Sequence, residues 1–203
     1  TGDDGVVLKS NEPGHDHPSS DIVVEDCRIW SACNAFKIGT ETHDRFDRIV
    51  FRNSHVYSDS DRTWDRALSG IAIESVDGSH LDGITVSNIT MDRIRAPIFV
   101  RLGHRGGNSE RTRQVEPRVP GTIRNVVIRD IRARRSMFES SVNGLSGHPV
   151  QDLTLANLDL EYEGGGGADW VTDDVPDDEV DRIKSHLARY YKKIGDAPPW
   201  QDD

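Results

Sequence analysis

The sequence predicts an all-β protein: a right-handed parallel β-helix with an amphipathic helix at its C-terminal end. Three observations carry that expectation. Five segments repeat the pattern apolar-x-apolar-x-Asn/Asp: IVVED from Ile22, IVFRN from Ile49, ITVSN from Ile84, VVIRD from Val126 and LTLAN from Leu153. A second set of alternating segments lies between them: GVVLKS from Gly5, AFKIGT from Ala35, GIAIES from Gly70 and PIFVRL from Pro97. Finally, 34% of the 203 residues are apolar and 30% are charged, a wet composition that suits a thin, layered core. Alternation alone also fits an antiparallel sandwich, but the regular doubling of strands per repeat favours the solenoid.

In chain order, the first five-residue pattern recurs at intervals of 27, 35, 42 and 27 residues. Each copy reads as one strand of a coil, stacked about 4.8 Å from the next. The closing Asn or Asp suits a bend, because its short side chain tolerates turn geometry and bonds nearby backbone. In the second set, Val6/Leu8, Phe36/Ile38, Ile71/Ile73 and Ile98/Val100 read as inward pairs. Lys37, Glu74 and Arg101 fall on the opposite face, as a charged ribbon. The longer intervals mark polar insertions at 11–20, 58–68 and 103–121, which suit the walls of a cleft. The run EGGGG at 163–167 interrupts the repeat. Beyond it, Val180, Ile183, Leu187, Tyr190 or Tyr191 and Ile194 recur at helical spacing, between an Asp177 or Asp178 cap and a Gly195 stop. The expected division is therefore 1–164 for the β-helix and 165–203 for linker, capping helix and acidic tail. The start at Thr1 reads as that of a fragment or processed chain whose earlier coils are missing.

A net charge of −10 disfavours nucleic acid and anionic membrane surfaces as partners, and no apolar run reaches the roughly 18 residues of a membrane span. Cys27 and Cys33 are expected as free, largely buried thiols, since two cysteines at this spacing make neither a disulfide framework nor a metal motif. His15 and His17 in the HDH triplet lack the converging third and fourth ligands that a metal needs, so no metal or other cofactor is expected. Trp30 is expected in the core and Trp64, on an insertion, as an aromatic platform on which a ligand stacks.

The opening TGDDGVVLKS resembles a segment of the family 28 glycoside hydrolases, the polygalacturonase group, and GITVSNITM is similar to their later coils. The likeness spans Thr1 to about Gly164. It implies a pectin-lyase-like β-helix that hydrolyses a pectin-like or related polysaccharide with inversion, in a secreted or periplasmic setting, on a polysaccharide or oligosaccharide substrate. Asp3 matches the family's general acid and Asp4 a carboxylate that helps activate water. The family's third aspartate belongs to an upstream coil. Gly2 and Gly5 are expected to let the backbone bend so that both aspartates reach one site.

The chain departs from the family at two places. Asn34 stands where the family has histidine. Ala72 and Glu74 stand where it has an Arg-x-Lys pair that grips a uronate carboxylate. Lys37 and Arg101 are candidates for relocated cations, with His104 and Arg105 behind them, while Lys9, Asn34, Glu41 and Glu74 complete the expected substrate-binding set. The competing expectation for Lys37, Glu74 and Arg101 is a salt-bridge ladder on a solvated sheet. Two other functions stay open: a polysaccharide lyase using the aspartates as calcium ligands with Arg101 as base, and a non-catalytic carbohydrate-binding or structural β-helix.

Overall fold

A computed structural model describes residues 2–10, 18–59, 65–104 and 120–164. The expectations for His15, His17, Trp64, Arg105, the linker beyond Gly164 and the helix over 177–195 lie outside the described residues. Within them the fold is all-β. The strands are β1 (Val6–Ser10), β2 (Ser19–Glu25), β3 (Arg28–Ile29), β4 (Asn34–Thr42), β5 (Phe46–Tyr57), β6 (Ser69–Ser75), β7 (His80–Asp92), β8 (Ala96–Leu102), β9 (Thr122–Ser136), β10 (Ser141–Asn143) and β11 (Gln151–Tyr162). They form two sheets, ordered β1-β4-β6-β8-β10 and β11-β9-β7-β5-β2, with β3 on β5. Every pairing is parallel. From β3 onward the chain passes from one sheet to the other with each new strand.

The register follows the repeat residue by residue. In the larger sheet Ile22, Ile49, Ile84, Val126 and Leu153 form one column. In the smaller sheet Phe36, Ile71 and Ile98 stack, as do Ile38, Ile73 and Val100, with Val6 and Leu8 at their head. These inward columns meet between the sheets. Phe36 of β4 stacks on Phe51 of β5 with ring centroids 4.4 Å apart, and both rings are fully buried. Burying a Phe, Leu or Ile side chain contributes roughly 1.5–3 kcal/mol, so a column repeated in every strand accumulates stability although no single layer is deep.

Asn and Asp residues make the bends. The last residues of the five patterns, Asp26, Asn53, Asn88, Asp130 and Asn157, all have left-handed backbone with φ between 50° and 57°, a region that these two residue types enter more readily than others. Their side chains also bond along the column. Asn88 Nδ2 donates to Asn53 Oδ1 at 2.9 Å and Asn157 Nδ2 to Asp130 Oδ1 at 2.7 Å. A second left-handed column precedes the strand pattern at Asp21, Arg48, Gly83, Asn125 and Asp152. Asp or Asn fills only three of its five positions, with Arg48 and Gly83 between them, and pattern reading missed it.

Gly5 serves a purpose other than the expected bend. Its φ is not left-handed, but a Cβ there would lie 2.6 Å from Ile29 Cγ2 and 2.7 Å from the Ala35 carbonyl oxygen. The glycine is needed for close approach of β1 to its neighbours. Trp30 is also corrected: it is 37% exposed. Ile29 takes the inward position, so alternation turns the indole outward.

The Asn column predicts a substitution pattern. Asn88→Val is expected to cost about 1–2 kcal/mol through left-handed strain together with the lost bond to Asn53. Asn88→Gly keeps the backbone at ease and should cost less. Urea denaturation midpoints measure both, and equal losses would mean that backbone strain does not govern the position.

Candidate functional site

Asp3 and Asp4 precede β1 and are not within it, so strand alternation does not drive them to opposite faces. One side-chain atom each from Asp3, Asp4 and Cys33 lie within 4.8 Å of one another. Asp3 is exposed; its Oδ1 accepts the Asp4 backbone N–H at 2.8 Å and its carbonyl accepts the Ser31 hydroxyl. Asp4 is held more firmly, with a side chain only 7% exposed.

Strands β4 and β6 build the setting of Asp4. Asn34 at the start of β4 donates to Asp4 Oδ1 twice, from its backbone N at 3.1 Å and from Nδ2 at 2.7 Å. Ser69 at the start of β6 is the register partner of Asn34 and donates its hydroxyl to Asn34 Oδ1 at 2.6 Å. That bond orients the amide. Lys37 Nζ stands 3.4 Å from Asp4 Oδ2 and 3.7 Å from Glu74 Oε1, so one ammonium bridges carboxylates from two different segments. Asn34, Lys37 and Glu74 are all buried; the Lys37–Glu74 pair of the expected ladder therefore forms, but on a covered face and not on a solvated one. Glu74 pairs in register with Arg101, and Arg101 is exposed. At the far end of the strands Lys9 Nζ lies 2.9 Å from Glu41 Oε2, with about a third of each side chain exposed.

The surroundings push the two buried carboxyls in opposite directions. Burial disfavours the Asp4 carboxylate, but hydrogen bonds from Asn34 and Cys33 and the charge of Lys37 outweigh it, and its pKa falls below the ordinary value. At Glu74 burial prevails over Lys37 and Arg101, so its pKa rises. Burial, then the Asp4 hydrogen bond and charge, push the Cys33 thiol up to about 11. Cys33 is therefore a hydrogen-bond donor to Asp4 near neutrality and a poor nucleophile. Lys9 is raised by its hydrogen bond to Glu41.

Of the expected residues, the structure thus brings together Asp3, Asp4, Asn34, Lys37 and Glu74, with Arg101 alongside Glu74. Lys9 and Glu41 form a pair of their own. Asn34 is a positioning residue, since both ends of its amide are engaged within the protein. Lys37 is likewise engaged and differs in that from a cation left open for a substrate carboxylate. Asp3, Asp4 and Cys33 are the cluster among the described residues that fits a metal by distance. The Lys37 ammonium and the protonated thiol both oppose a cation there.

Pattern reading missed Ser31, Cys33 and Ser69 as members of this setting. For Ser69 the signal was present, since it occupies the position of Asn34 in the next repeat. Cys27 and Cys33 are free but only partly buried, short of the expected burial, because both stand at strand boundaries, not on inward columns. A second buried polar group, also missed, ties the exits of β4 and β6. Asp77 Oδ2 accepts the Thr42 backbone N–H at 3.1 Å, and the Thr42 hydroxyl accepts the Val76 N–H at 3.0 Å.

The opposed carboxyl shifts predict opposed pH behaviour. A lowered Asp4 pKa stabilises the fold above the ordinary value of 3.8 and ceases to do so as pH falls through the folded value. Asp4→Asn should therefore be destabilised near neutrality and approach the parent in acid. A raised Glu74 pKa favours the fold below the ordinary value of 4.5, an advantage lost as pH rises through the folded value. Glu74→Gln should thus gain on the parent as pH rises. Denaturation free energies between pH 3 and pH 8 check both signs, and parallel curves would refute the assignment.

No protein-family model matches the chain, and no curated protein or solved structure matches it either.

Proposed function

We propose that the two parallel sheets are walls of a right-handed parallel β-helix, and that the chain is a divergent relative of the family 28 glycoside hydrolases acting on a pectin-like or related polysaccharide. The observation that carries the reading is the convergence of Asp3 and Asp4 ahead of β1, with Asp4 kept ionised by Asn34, Cys33 and Lys37. In this proposal Asp4 accepts a proton from the attacking water. The resulting hydroxyl bonds to the anomeric carbon, the glycosidic bond breaks, and Asp3 gives its proton to the departing oxygen. Asn34 and Ser69 hold Asp4 in place. Arg101, exposed beside Glu74, is the proposed contact for the sugar.

The sugar proposed for this face is less acidic than galacturonate. Glu74 occupies a position where the family has a cation, and Lys37 is already shared by two carboxylates. A uronate carboxylate would face Glu74 at a cost of several kcal/mol unless one of the two were protonated. The lyase alternative has less support, because calcium would need Asp4 oxygens that already accept from Asn34 and face Lys37. The non-catalytic alternative draws support from the same internal charge balance.

The deciding experiment is reducing-end release from a panel of pectic and neutral polysaccharides. Asp4→Asn and Asp3→Asn are each expected to lose about 10²–10⁴-fold in turnover, the usual contribution of a positioned acid or base. The nearest oxygens of the pair are closer than the roughly 6.5–9.5 Å usual for inversion. A separation this short suits retention while the resemblance implies inversion, so product stereochemistry, followed by NMR of the anomeric proton, is a second readout. Inversion supports Asp4 as the water-activating base, and retention would overturn that role. Turnover indifferent to both substitutions would remove the aspartates from the chemistry, and binding without turnover would favour the non-catalytic reading.

A further inference from the structure

A second polar concavity lies on the larger sheet, built from residues outside the Asp3–Asp4 cluster. It encloses about 600 Å³, within the range of roughly 300–1,000 Å³ typical of small-ligand sites. Gly83 is part of its lining, and there the left-handed column carries no side chain although its neighbours Arg48 and Asn125 do. A Cβ there would stand in ordinary van der Waals contact with Arg48, whose nearest atom would be 3.6 Å away.

The walls carry an unusual charge arrangement. Asp47 and Asp82 are register partners on adjacent strands, and like charges directly opposite destabilise a sheet unless they are compensated. Guanidinium groups compensate both. Arg45 Nε lies 2.7 Å from Asp47, and Arg124 Nη2 lies 2.7 Å from Asp82. Arg48 reaches in the other direction, to Asp21 at 2.7 Å. At one end of the concavity His80 Nδ1 and the Thr122 hydroxyl are 3.0 Å apart.

We propose that this concavity is a binding site for a neutral oligosaccharide. Among the described residues its lining combines hydrogen-bond donors and acceptors and includes no aliphatic side chain to receive an apolar ligand. Each guanidinium is already matched by a carboxylate, so an anionic ligand would compete with Asp47, Asp82 and Asp21 for the three arginines. A cation would meet three arginines. A vicinal diol needs one donor and one acceptor at each hydroxyl, and the paired Arg and Asp side chains present both, held by their mutual bonds. The site is independent of the proposed hydrolysis and would anchor a chain at a second point, raising its effective concentration.

The test is NMR titration of the full chain, using a neutral β-1,4-galactotetraose and trigalacturonate as probes. Addition of the neutral sugar is expected to shift the amides of Gly83 and Thr122. Arg124→Gln and His80→Ala, both at exposed positions, should each weaken those shifts by about tenfold in apparent affinity, equivalent to about 1.4 kcal/mol. Asp4→Asn should leave them unchanged. Shifts confined to Asp4 and Asn34 would overturn this site while supporting the Asp3–Asp4 centre. Stronger response to trigalacturonate, unchanged affinity in both variants, or no shift at Gly83 would each overturn it.

Discussion

Parallel, in-register pairing is the constraint on which this structure depends. It sets each residue of one repeat beside its counterpart in the next, so any property required at a position is required in a whole column. Apolar columns bury themselves between the sheets, as Ile49, Ile84 and Val126 do. Columns at bends must accept left-handed backbone, and Asn and Asp fill them with the least strain. Charged columns must alternate sign or find a bridge. On the larger sheet Arg48 meets Asp21, Arg52 meets Glu25 and Arg124 meets Asp82. Exposed pairs of this kind are screened by water and add little to stability, and their main effect is to let like side chains be avoided across the ladder.

The same constraint builds the site. Asn34 and Ser69 occupy one column, and Asp4 stands two residues before Val6 as Asn34 stands two before Phe36, its register partner. Carboxylate, amide and hydroxyl thus follow one another from the segment ahead of β1 to the first residues of β4 and β6 and form a directed hydrogen-bond chain. Lys37 closes the group from within the sheet. Its burial makes the pairing with Asp4 and Glu74 stronger than a surface pair, and it also raises the cost of removing any one member.

The inward and bend-forming columns were legible in the sequence because burial and left-handed backbone each select a narrow set of side chains. Ile, Val and Phe at alternate positions gave the register, and Asn53, Asn88 and Asn157 marked one bend. The second bend was not legible, since Arg48 and Gly83 interrupt the Asp and Asn residues of its column. Within the site Asp3 and Asp4 stood out by their adjacency. Cys33 and Ser31 did not, because their contribution depends on how the segment after β3 folds back toward Asp3. The depth of Lys37 and Glu74 was equally hidden: alternation says which side a residue faces, not whether that side is covered. Trp30 was misread for a related reason, since bulk suggested burial while its neighbour Ile29 had already taken the inward place.

The ladder keeps its register whatever length of chain separates two rungs. Successive rungs are 27, 35 and 42 residues apart where Arg48 meets Asp21, Asn88 meets Asn53 and His80 meets Thr122. Each of these contacts links equivalent positions. Insertion and deletion between strands are therefore uncoupled from the geometry of the scaffold. A protein of this kind can acquire a longer excursion in one repeat, or shed one, while its floor and its aspartates remain where they are, and its recognition of ligands can diverge faster than its architecture.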